Sequence, residues 1–102
     1  MTTKSKGDYS VNKARQLLKE QGYLVAKALA VRFQPEDFFS CWDLIAINDN
    51  HVRFIQVSRV QLYDRGAEYK FKLLAFPTPP NTTKEYWHHT NKGFDIQYLN
   101  EQ

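Results

Sequence analysis

Three oxygen-bearing side chains stand at spacings that could do chemistry: Asp43, Gln56 and Ser58. Asp43 sits at the head of the apolar run Trp42-Asp43-Leu44-Ile45-Ala46-Ile47, and Gln56 and Ser58 interrupt a second run, His51-Val52-Arg53-Phe54-Ile55-Gln56-Val57-Ser58-Arg59. Asn48-Asp49-Asn50 joins the two runs, and Asn and Asp tolerate tight-turn geometry, so the pair reads as a β-hairpin. Side chains alternate along a strand, which puts Val52, Phe54, Gln56 and Ser58 on one face and Arg53, Ile55, Val57 and Arg59 on the other. Antiparallel pairing then brings Asp43 close to Gln56 and Ser58. The result is a carboxylate, an amide and a hydroxyl at one end of an otherwise apolar hairpin.

Other chemistries find less support. His88 and His89 are adjacent on an expected strand, so they point to opposite faces and cannot chelate one ion from regular β geometry. His51 falls in a turn, and with one cysteine and no His-x-His or His-x-x-x-His spacing, a zinc site is not indicated. Ser58 and Cys41 lack the glycine elbow of an activated nucleophile. The four glycines are scattered singly, so there is no phosphate-cradling loop.

The hairpin must be held by the rest of a 102-residue chain, a length that suits one domain, 1–102, with a single core. Apolar residues make up 42% and aromatic residues 15%, the composition of a folded globule. A net charge of +3 and a pI near 9.0 permit nucleic acid as a partner without requiring it. Cys41 is the only cysteine, which excludes an internal disulfide and suits a small core residue. No apolar run reaches the ~20 residues of a membrane helix and no secretion-type leader opens the chain, so a soluble, cytoplasmic protein without a membrane partner is expected.

Along the chain, residues 1–7 are polar and expected to fray. Val11, Ala14, Leu17, Leu18 and Gln21 recur at helical spacing, so a helix is expected over about residues 9–21, capped by Asp8 or Ser10 and ended by Gly22. Residues 23–29 read as a strand, and residues 32–40, with Pro35 and the acids Glu36 and Asp37, read as a loop. After the hairpin, residues 61–66 connect to a second helix whose apolar stripe is Ala67, Phe71, Leu74 and Ala75, with Glu68, Lys70 and Lys72 outward. Pro77, Pro79 and Pro80 end it. Residues 84–90 and 94–99 form a second hairpin across Asn91-Lys92-Gly93. Tyr86, Trp87, Phe94 and Tyr98 on that hairpin read as core or as an interface.

The element order α-β-β-β-α-β-β, the phrase Trp-Asp-Leu-Ile-Ala-Ile, a turn, then Phe-Ile-Gln-Val-Ser resembles the PD-(D/E)XK nucleases, archaeal Holliday-junction resolvase-type proteins in particular. Lys6-Gly7 and Gln21-Gly22-Tyr23-Leu24-Val25 extend the likeness, which covers roughly residues 6–76. The resemblance implies an α/β fold: a restriction endonuclease-like α-β-β-β-α-β core with a C-terminal β-hairpin, one mixed sheet flanked by helices. It also implies metal-dependent hydrolysis of DNA, with Mg²⁺ or Mn²⁺ on Asp43 and Gln56 and with Ser58 positioning water. Such a metal takes hard oxygen ligands, one or two of them carboxylates.

The chain departs from the family pattern at three places. Gln56 replaces the second acid, Ser58 replaces the lysine, and Ser10 and Asn12 stand where a glutamate opens the first helix. Lys27, Lys70 or Lys72 could restore the cation, and Asp8, Glu20, Glu36 or Asp37 a carboxylate. Without them, the expectation becomes a catalytically inactive, nuclease-derived module that binds nucleic acid through Lys6, Lys13, Arg15, Lys19 and Arg59, with Lys4 and Arg53 as further candidates. A protein-interaction role, as a homodimer, is the third expectation.

Overall fold

The structure, a computed structural model, describes residues 3–28, 38–39 and 41–100, with side chains from Tyr9 onward. Its order is α1 Thr3–Glu20, β1 Leu24–Lys27, β2 Leu44–Ile47, β3 Val52–Ser58, a 3₁₀ turn Leu62–Arg65, α2 Ala67–Ala75, β4 Thr82–Thr90 and β5 Gly93–Tyr98. The expected loop, with Glu36 and Asp37, lies outside the described residues apart from Phe38 and Phe39.

The strands form one sheet in the order β1-β2-β3-β4-β5. All neighbours are antiparallel except β3 and β4, which run parallel from Val52 beside Thr82 to Ser58 beside His88. Period-two alternation divides the strand residues between two cores. Leu44, Ala46, Ile55, Val57 and Trp87 pack with Val11, Ala14 and Leu18 of α1. Phe54 and Tyr86 pack on the other side with Leu73 of α2, Trp42 and Leu62. The protein is therefore α/β, with one mixed sheet between two helices. The alternation expected for β3 is the alternation observed. Cys41 is buried, as expected of a small core residue.

Two helix expectations need correction. The first helix begins at Thr3, so Asp8 and Ser10 lie within it instead of capping it. Extending a helix already nucleated by a packed segment adds one hydrogen bond per residue fixed, so a polar stretch can continue it without a core of its own. Its end is as expected: Gly22 has φ 95°, and the Gly22 and Tyr23 N–H groups donate to the carbonyls of Lys19 and Leu18. In α2 Leu73 is buried, Tyr69 and the expected Leu74 are half-buried against the same core with Phe76 at the C-cap, whereas the expected Phe71 is 71% exposed. The edge-on contact of Tyr69 with Tyr86 and that of Phe76 with Phe54 rotate the helix away from the stripe expected from Ala67 and Phe71.

A buried ion pair joins β3 to β4 on the α1 side. Arg53 Nε and Nη2 donate to the two Glu85 oxygens at 2.8 and 2.7 Å, and the Thr83 hydroxyl and Trp87 indole donate to the same carboxylate. Burial alone raises the Glu85 carboxyl, but these donors outweigh it and hold it below its ordinary value. The hydrogen bond to Glu85 raises Arg53 in turn, against the effect of its burial.

Candidate functional site

Strand pairing places Asp43 first. Its N–H donates to the Ile55 carbonyl and its carbonyl accepts from Ala28 N–H, both at 2.9 Å, so its backbone is pinned on two sides. Its Oδ2 accepts from the Val57 N–H at 2.9 Å. Val57 is the residue between Gln56 and Ser58, so the Asp43 carboxylate reaches the β3 backbone between the other two residues singled out by spacing. A carboxylate offers about four lone-pair sites and can ligate a cation while holding such a bond.

Gln56 is on the α2 side and only 6% exposed. Its Oε1 is buried and has no hydrogen-bond partner among the described residues. An unsatisfied buried acceptor costs roughly 1–3 kcal/mol, and a cation or an added donor would relieve it. A carboxylate and an amide carbonyl are both hard oxygen donors of the kind a divalent ion takes. Among the described residues, no group of three or more His, Cys, Asp or Glu side chains could hold a metal by itself.

Ser58 is more constrained than its sequence position suggests. Its Oγ accepts from Val60 N–H at 3.0 Å and from Arg65 Nη1 at 3.2 Å. A hydroxyl has two acceptor lone pairs and one proton, so Ser58 is left to donate. It can bond a phosphate oxygen or the oxygen of a water, but it cannot take a proton from that water.

Arg65 supplies a cation beside this serine. The 3₁₀ turn carries it back over the end of β3, where its guanidinium lies 4.1 Å from the centre of the Tyr69 ring. Nη1 also donates to the Tyr86 hydroxyl at 3.4 Å, and that hydroxyl donates to the Val60 carbonyl at 2.6 Å. The protons on Nε and Nη2 have no acceptor among the described residues. A planar guanidinium with unused donors matches phosphate geometry. Sequence spacing missed Arg65, since nothing in the connector 61–66 shows which way the turn sends it. The one local signal was Gly66, directly after it.

The other expected residues are scattered. Lys27 donates to Asn12 at 2.9 Å on the α1 side, Glu20 accepts from Gln16, and Lys70 and Lys72 are exposed on α2. Lys6 lies in α1, with its side chain outside the described residues, as is that of Asp8. Lys13 and Arg59 both act on His89 through their charge, whereas Lys19 borders β1 and Arg15 keeps a buried Nε with no partner among the described residues. Lys13, Arg15 and Lys19, on the helix that packs against Ile55 and Val57, therefore belong to the face opposite Gln56 and Ser58. The two adjacent histidines part as expected: His88 Nε2 donates to the Arg59 carbonyl at 3.2 Å, and His89 Nδ1 shares a 2.7 Å hydrogen bond with Ser10. Tyr86 and Trp87 are core residues, while Tyr98 is 59% exposed.

Among known proteins, no family model, curated protein or solved structure matches the chain. No helix among the described residues is long and apolar enough to cross a membrane.

Proposed function

We propose that this protein is a nuclease-type domain that acts on DNA phosphodiesters at the end of β3. The observation that carries the reading is the Arg65 guanidinium on Ser58 Oγ, which puts a positive charge where the resembled nucleases have a lysine. The element order α-β-β-β-α-β and the meeting of Asp43 with the Gln56–Ser58 backbone support it. When bound, Mg²⁺ or Mn²⁺ would supply an activated water and a Lewis acid for the phosphoryl group. Asp43 and Gln56 would hold that ion. Arg65 steadies the charge that develops on the phosphate, and Ser58 donates to one of its oxygens.

The test incubates the protein with branched, single-stranded and duplex DNA, with Mg²⁺, with Mn²⁺ and with chelator. Cation-dependent cleavage that falls at least about 100-fold in Asp43→Ala is expected. A second reading, a binding module that no longer cuts, is favoured by one feature: both Ser58 lone pairs are occupied, so no neutral base stands beside the phosphate. Salt-sensitive DNA binding with no cleavage of any substrate would select it. The absence of both activities would overturn the nuclease reading altogether. A homodimer, which would let two strands be cut together, is part of the same proposal and would show as a doubled mass in light scattering.

A further inference from the structure

Beside the Ser58–Arg65 pair, a cleft of about 220 Å³ opens between the 3₁₀ turn and the β4–β5 strands. Its floor is two cross-strand pairs, Tyr86 with Gln97 and His88 with Asp95. Its wall is formed by Gln61 and Tyr63 on the turn. The cleft adjoins the proposed phosphate site through two links: His88 is the strand neighbour of Ser58, and the Tyr86 hydroxyl accepts from Arg65.

We infer that this cleft receives the base of an unpaired nucleotide whose phosphate lies at Ser58 and Arg65, an assignment that rests on the function proposed above. Size gives the first argument. The cleft is smaller than the ~300 Å³ at which sites for drug-sized ligands begin, and it suits a single ring system. Charge gives the second. The Asp95 carboxylate lines the cleft and repels phosphate, whereas the Arg65 guanidinium outside it attracts phosphate, so a nucleotide binds with its base inward. Tyr63 gives the third: the residue is 90% exposed, leaving an aromatic face for stacking at the rim.

The polar lining also sets a preference. A carboxylate accepts hydrogen bonds from the exocyclic amino groups of cytosine, adenine and guanine, which thymine lacks. The Gln61 and Gln97 amides can each donate and accept. A base in a duplex is stacked, with its pairing edge already used. The occupant is therefore single-stranded, at a branch, or extruded from the helix.

Fluorescence anisotropy at low salt tests this with labelled oligocytidine and oligothymidine DNA and a duplex of equal length. Wild-type protein is compared with Tyr63→Ala, Asp95→Asn and Arg65→Ala; Tyr63 and Asp95 are exposed, so both variants should fold, and circular dichroism checks it. Tyr63→Ala should weaken single-strand binding about tenfold and leave duplex binding unchanged. Asp95→Asn should remove the preference for cytidine over thymidine, and Arg65→Ala should weaken every DNA. Equal wild-type affinity for single strands and duplex, or a Tyr63→Ala variant that loses nothing or loses both equally, overturns the cleft assignment and leaves the proposed function standing. No binding to any DNA overturns both.

Discussion

Removing the Glu85 carboxylate would leave the Arg53 guanidinium buried against the Tyr23 and Trp87 rings without its counter-charge. Breaking a buried pair from one side costs roughly 3–5 kcal/mol, a large part of the ~5–15 kcal/mol that holds a domain together. Glu85→Ala should therefore lower the urea midpoint sharply, whereas the double variant Arg53→Met/Glu85→Leu should cost less than Glu85→Ala alone. His89 makes a second prediction, about pH. Burial pushes its imidazole below the ordinary histidine value, and the positive charges of Arg59, Lys13 and His88 act in the same direction. On acidification the unfolded chain thus takes up this proton before the folded one does. The stability that neutral His89 contributes is complete above about pH 6.5 and is lost as pH falls through that value towards the lower folded pKa. Thermal scans between about pH 7.5 and pH 5 should show a steeper loss of Tm in wild type than in His89→Gln.

At the scale of elements, Gly66 decides where the site's cation goes. Its φ of 95° and ψ of 160° fall in a region essentially reserved for glycine, at the junction of the 3₁₀ turn and α2. An added Cβ would meet nothing within 4 Å, so the penalty for Gly66→Ala is torsional, roughly 1–3 kcal/mol. Relief of that strain would re-aim the turn and carry Arg65 away from Ser58. Gly66→Ala should therefore lower both Tm and DNA affinity, while Gly93→Ala, at φ 120° in the last hairpin, should lower Tm alone. The far end of α2 is held by a different device. The buried Lys84 ammonium donates to the carbonyls of Leu74 and Phe76 at 2.6 and 2.7 Å, satisfying the end of a helix that the prolines then forbid to continue.

For the whole molecule, the sequence was most readable where one local rule decides the outcome. The Asn48-Asp49-Asn50 turn and the alternation through Val52–Ser58 made the central hairpin, its faces and the place of Asp43 beside the Gln56–Ser58 backbone legible. The start of α1 was not, because helix propagation leaves no apolar mark. The packed stripe of α2 was misread because ring contacts to Phe54 and Tyr86, residues remote in sequence, set its rotation. Arg65 was invisible for the same kind of reason: a Gly66 torsion and a Tyr69 ring aim it. The basic residues of α1 looked like a companion to the site until the sheet separated them. Lys13 and Lys19 lie across the sheet from Ser58, and the guanidinium that bonds Ser58 comes from the connector instead.

The parallel pairing of β3 with β4 also governs when these groups come together. Each pair in its register joins residues thirty positions apart, whereas β2 and β3 meet across a tight turn. Loop closure must precede the reward of a long-range pairing, so local hairpins form early and crossover pairings late. A chain that has made β1 to β3 already owns Asp43, Gln56 and Ser58. It gains Tyr86 as an anchor for Arg65, and a floor for the cleft, only when β4 docks. Completion of the site is then coupled to the slowest contact in the topology, and a half-folded domain carries the three oxygens without the hydroxyl that anchors their cation.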